Sequence, residues 1–93
     1  MKVYFTPTAD EDLAQLKAYL EPRSPRAAHK HLVAVLTAAR LLSEYPFVGR
    51  PGRVEDTREL PVPGIDYILV YELFGPSNIY VLRVLHGRQM YPP

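Results

Sequence analysis

Ninety-three residues make room for one small domain, read here as residues 1–93, and an apolar fraction of 47% with 23% charged residues excludes a disordered or collagen-like chain. No apolar run approaches the roughly 20 residues of a membrane span and no leader pattern opens the chain, so the expected compartment is the cytoplasm. The absence of cysteine excludes disulfides and thiolate metal sites, and neither metal nor cofactor is expected. Net charge is +1; residues 1–22 carry two basic and four acidic side chains and residues 23–93 nine basic and six acidic, a bias too weak to make an electrostatic DNA binder by itself.

Lys2-Val3-Tyr4-Phe5 is β-branched and aromatic and reads as a strand. Thr8 and Glu11 have the spacing of a capping box, and Leu13, Leu16, Ala18 and Leu20 continue as a helix that ends at Glu21-Pro22. Asp10 to Asp12 suit the positive helix N-terminus. Ser24-Pro25 opens a second helix, whose stripe of Ala28, Leu32, Val35, Leu36, Ala39 and Leu42 faces a core and stops at Tyr45-Pro46. The short connection predicts an antiparallel helical hairpin. His29 and His31 lie about 200° apart around a helix and are read as solvated.

Phe47 to Arg53 reads as a loop. Arg58 to Val62 is short, and Pro61 makes it an irregular or edge strand. Asp66 to Phe74, apolar on both sides, is a central strand, and the turn Gly75-Pro76-Ser77-Asn78 leads into a last strand, Ile79 to His86. The order β-α-α-β-β-β predicts an α+β fold with the helices on one face of an antiparallel sheet, leaving the other face for function. On that open face Arg83 is expected beside Tyr71, or else paired to Glu72 or Glu59. His86, Arg88 and Tyr91 bring an imidazole, a guanidinium and a phenol into one short tail, groups suited to acid–base work on a phosphodiester. No phosphate loop, zinc spacing, nucleophile elbow or dinucleotide fingerprint is present.

The run from Thr57-Arg58-Glu59-Leu60-Pro61-Val62 through Asp66-Tyr67-Ile68-Leu69-Val70-Tyr71, followed by Val81-Leu82-Arg83-Val84-Leu85-His86-Gly87-Arg88-Gln89, closely resembles the RelE/ParE toxin superfamily of bacterial toxin–antitoxin systems. Thr8-Ala9-Asp10-Glu11-Asp12-Leu13 and Tyr45-Pro46-Phe47-Val48-Gly49-Arg50 resemble it too. The resemblance implies one of two activities, ribosome-dependent mRNA cleavage in the RelE-like branch or inhibition of DNA gyrase in the ParE-like branch. Where the nuclease branch places lysines this chain has Glu59 and Pro61, and where it places an arginine this chain has Ile68. A carboxylate there opposes the negative charge that a scissile phosphate gains.

The resemblance therefore implies a ParE-like, non-enzymatic gyrase inhibitor, with Arg58, Tyr71, Arg83, His86 and Arg88 as expected target contacts. The alternatives are a ribonuclease built on His86, Arg88 and Tyr91 and acting on the ribosome, or a module that binds its antitoxin with toxicity weak or lost. The implied partner is a cognate antitoxin forming a hetero-oligomer with the toxin, its disordered segment folding into a groove around Leu13, Leu16 and Leu41. Leu36 belongs to that group or, more simply, to the core.

Overall fold

A computed structural model of the chain describes residues 1–89, 91 and 92. It runs β1 (Lys2–Phe5), α1 (Pro7–Leu20), α2 (Pro25–Glu44), β2 (Arg50–Pro51), β3 (Thr57–Pro61), β4 (Tyr67–Phe74) and β5 (Asn78–His86). The five strands form one sheet in the order β1-β5-β4-β3-β2, with the helices packed against it, an α+β fold.

α1 begins two residues earlier than the capping-box reading places it. Thr6 is the cap: its hydroxyl accepts from the Ala9 amide at 3.2 Å and donates to the Leu82 carbonyl at 3.1 Å. Pro7 then occupies the first helical position, where a missing N–H costs nothing. Thr8 falls inside the first turn, and Glu11 instead accepts from Gln15 one turn on. Thr6→Ala is expected to cost about 1 kcal/mol, whereas Thr8→Ala stays within about 0.5 kcal/mol, a difference that urea unfolding resolves.

α2 starts as read, with Ser24 accepting from the Ala27 amide at 3.1 Å and Pro25 in the first turn. Its buried stripe is Ala28, Val35, Ala38, Ala39 and Leu42. Leu36 lies 100° around the helix from Val35 and is 61% exposed, so the core reading of Leu36 is corrected. Alanines at 9, 38 and 39 let both helices approach the core, which contains Val35, Leu42, Leu60, Leu69, Tyr71, Ile79, Val81 and Val84.

Three features of the sheet differ from the sequence reading. β1 joins β5 in parallel, so the sheet is mixed; a parallel partner needs a crossover connection, and the helical hairpin lies on that crossover. The expected loop contains β2, where Arg50 pairs with Glu59 and Pro51 with Arg58, so β3 is not an edge strand. Pro51 is tolerated because β2 is itself the edge.

The third difference is a β-bulge. Val70 is opposite Arg83 but Tyr71 is opposite Val81, which leaves Leu82 as an extra residue on β5. Strict alternation groups Arg83 with Ile79 and Val81. The bulge flips it: Ile79, Val81 and Val84 face the helices, while Tyr80, Arg83 and Leu85 fall on the opposite face.

Candidate functional site

The face away from the helices carries a cleft of about 360 Å³. Its floor is apolar, formed by Ile68 and Val70 of β4 and Leu85 of β5, which share that face through the pairs Ile68–Leu85 and Val70–Arg83. Arg50, Arg53, Glu59 and Tyr91 stand around it. Glu59 is 14% exposed and takes a guanidinium bond from Arg50 at 3.3 Å. One wall of the cleft is thus an ion pair.

Arg83 stands opposite Val70 as the open-face reading requires, but its partner is neither Glu72 nor Glu59. Its Nε donates to Asp12 Oδ2 at 2.8 Å and its Nη2 to Oδ1 at 3.1 Å, a bidentate pair, and Asp12 Oδ2 also accepts from the Val84 amide at 2.9 Å. Register explains the site: β1 pairs with β5 only as far as Val81, so the β5 edge beyond it has no strand neighbour, and the α1 carboxylate fills that place. The Asp12 hydrogen bonds hold the guanidinium pKa above its usual range. Asp12 therefore locks β5 in addition to lying near a helix N-terminus.

Tyr71 is on the helix side, wholly buried, and not beside Arg83. Its hydroxyl donates to the Pro46 carbonyl at 2.8 Å and accepts from the Gly49 amide at 2.9 Å. Burial pushes the phenol pKa up, against the Gly49 bond and the Arg58 charge. Arg58 Nη1 donates to the Gly49 carbonyl at 2.7 Å, and its guanidinium lies 5.0 Å from the centre of the Phe47 ring. Both residues expected as target contacts hold the loop that leads from α2 to β2.

His86 is opposite Tyr67, on the side of the helices. The two rings meet edge to face at 5.4 Å, and His31 meets Tyr67 from elsewhere at 5.7 Å. His31 is half-buried, with Nδ1 2.8 Å from the Ala27 carbonyl, so the solvated reading holds for His29 alone. His86 Nδ1 accepts from the Arg88 amide, leaving Nε2 directed at Asp66, 3.4 Å away. Burial, then the Asp66 charge, raises the Tyr67 pKa. Tyr91 lines the cleft with Gly87 and Gln89, whereas the side chains of His86 and Arg88 are not among its lining residues. Met90 lies outside the described residues.

The four leucines do not share one groove. Leu16 is 4% exposed and Leu13 packs against the core. Leu41 lines a shallow apolar groove of about 340 Å³ with Ala34, Ala38 and Pro63, and Leu36 borders a separate depression beside β1. Asp12, which sequence reading assigned only to the helix dipole, carried a usable signal: it lies three residues after buried Ala9 and four before buried Leu16, on the inward face. Among the described residues no three metal-ligating side chains come together and no helix is long and apolar enough to cross a membrane.

Comparison with known proteins completes the description. The family model for the ParE toxin of the type II toxin–antitoxin system parDE matches residues 3–91. The Y4kP protein of Sinorhizobium fredii is 36% identical over 91 residues, which is 98% of this chain and 93% of that one. Toxin RelE3 of Caulobacter vibrioides is 30% identical over 83 residues, 87% of this chain and 88% of that one. Among solved structures, the chromosomal ParDE system of P. aeruginosa superimposes with a TM-score of 0.81 at 21% identity, covering 92% of this chain and 95% of that one, a likeness of fold. The toxin–antitoxin complex RelBE2 of Mycobacterium tuberculosis gives 0.66 at 33% identity, covering 91% and 95%.

Proposed function

Because the chain belongs to the ParE toxin family of type II toxin–antitoxin systems, we propose that this toxin acts without catalysis, by binding bacterial DNA gyrase in the cytoplasm, and that a cognate antitoxin holds it inactive. The observation that carries the reading is the engagement of its cations. Arg83 is committed to Asp12, the half-exposed Arg50 pairs with Glu59, which presents a carboxylate at the cleft, and the cleft floor is Ile68, Val70 and Leu85. Phosphodiester cleavage relies on positive groups already aimed at the phosphate and on a positioned acid and base. Here the imidazole of His86 is engaged with Tyr67 and Asp66. The two solved relatives are toxin–antitoxin systems, which supports the antitoxin as partner.

The rival reading, a ribosome-dependent ribonuclease, draws on Tyr91 at the cleft beside Arg50 and Arg53. Supercoiling of plasmid by purified gyrase decides between them. The protein is expected to block supercoiling and trap linear plasmid, with relief by antitoxin. Growth arrest with gyrase untouched and mRNA cut on ribosomes would overturn the proposal. A chain that arrests nothing would be left with antitoxin binding alone.

A further inference from the structure

The strands carry two carboxylates, Glu59 on β3 and Glu72 on β4, and both lie on the face away from the helices. Glu59 is paired with Arg50, whereas the half-buried Glu72 has neither a hydrogen bond nor an ion pair among the described residues. Its cross-strand neighbours are Thr57 and Tyr80. Thr57 gives its hydroxyl to the Val54 carbonyl at 2.6 Å, and Tyr80 meets the rings of Tyr4 and Phe74. The nearby guanidinium groups are engaged elsewhere, Arg83 by Asp12 and Arg58 by the Gly49 carbonyl and the Phe47 ring.

Aromatic rings frame this unpaired carboxylate. Tyr4, Tyr80 and Phe74 form a row across β1, β5 and β4, with centroids 5.7 and 5.5 Å apart, and Tyr4 and Phe74 are 44% and 58% exposed. On the β3 side, Glu72 and Phe74 line a depression of about 590 Å³ together with Phe47 and Asp56. The face of an aromatic ring carries partial negative charge and attracts cations, so the rings and the carboxylate favour the same kind of ligand. Partial burial of a carboxylate without a partner costs free energy, and a cation brought by another molecule offsets that cost.

We infer that Glu72, with Phe74 and Tyr80, receives an arginine side chain of the target protein. This rests on the protein-target reading above and names the chemistry by which that target is held. Charge selects the occupant: Glu72 and Asp56 repel a phosphate or any other anion. A guanidinium fits best, because its planar fork pairs with a carboxylate while its face stacks on a ring. The antitoxin is assigned to the other side of the molecule. There the exposed surface of α2 carries Arg26, Lys30 and Arg40 against Glu44 alone, which turns an arginine-bearing segment away.

The test compares Glu72→Gln and Glu72→Lys with the unaltered toxin in four measurements: growth arrest, inhibition of purified gyrase, affinity for the antitoxin encoded beside it, and thermal midpoint. Glu72→Gln, which keeps the shape, is expected to require about tenfold more protein for arrest and for gyrase inhibition. Glu72→Lys is expected to require at least about a hundredfold more, the scale of losing and then reversing one charged contact. Antitoxin affinity holds, and the midpoint of Glu72→Gln does not fall, because the parent carboxylate has no partner to lose. A lower midpoint for Glu72→Gln overturns the proposal by making Glu72 a structural residue. Unchanged potency, or equal losses for the two variants, overturns it by removing charge from the contact, and leaves the gyrase reading standing. A parallel loss of antitoxin affinity overturns it by assigning the site to the antitoxin. If the unaltered toxin arrests growth without touching gyrase, the gyrase reading falls and arrest alone decides: a graded loss from Glu72→Gln to Glu72→Lys supports the arginine site and retained potency overturns it.

Discussion

Asp12→Ala is expected to destabilise this fold by about 3 kcal/mol, the scale for removing one partner from a largely buried ion pair. The Asp12 side chain is 9% exposed and accepts three hydrogen bonds, two from Arg83 and one from the Val84 amide. Its loss leaves a guanidinium, 22% exposed, without a carboxylate. It also leaves an orphan N–H on the stretch of β5 that β1 does not reach. In a chain of this length the thermal midpoint should fall by roughly 12–24 °C.

Asp12→Asn, which keeps the shape and loses the charge, should fall between the alanine variant and the parent. Pairing Asp12→Ala with Arg83→Met should restore part of the loss, because replacing both members of a buried pair by apolar groups is often close to neutral. A loss for Asp12→Ala of less than about 1 kcal/mol would mean that solvent screens the pair as it does at an open surface.

Tyr71→Phe is expected to cost about 2 kcal/mol, the range for leaving a buried backbone donor unpaired. The ring stays packed, so no cavity opens; what disappears is the hydroxyl shared by the Pro46 carbonyl and the Gly49 amide. Burial keeps the phenol neutral at physiological pH, so in the parent this donor is present throughout. Equal stability in urea would show that water replaces the hydroxyl.

Local chemistry announced most of the elements. Proline at 22, 25 and 46 and serine at 24 set the helix limits because their effects act within a turn or two of chain. The strands at Tyr67–Phe74 and Asn78–His86 were legible from β-branched and aromatic runs between turn residues. Even the start of α1, misplaced by two residues, was a contest between two neighbouring threonines, settled by Pro7 at the first helical position.

Which face each functional side chain occupies was not legible in the same way. Alternation along β5 holds only while the strand is regular, and the bulge at Leu82 arises from pairing with β4, about ten residues away in sequence. Tyr71 illustrates the consequence: a residue expected on the open face beside Arg83 is buried beneath the loop after α2. His86 likewise turns toward Tyr67 and Asp66.

The sequence by itself determined the α+β order, the cap of α2 and the family, all of which depend on residue type and short spacing. The tertiary structure alone decided that Asp12 would hold Arg83, 71 positions later, and that Tyr71 would fasten a loop more than 20 positions earlier. Both partnerships form where strand pairing runs out or a chain crosses a buried ring. Their cause is the unsatisfied polar group at that point in space, which has no counterpart in the local pattern of residues.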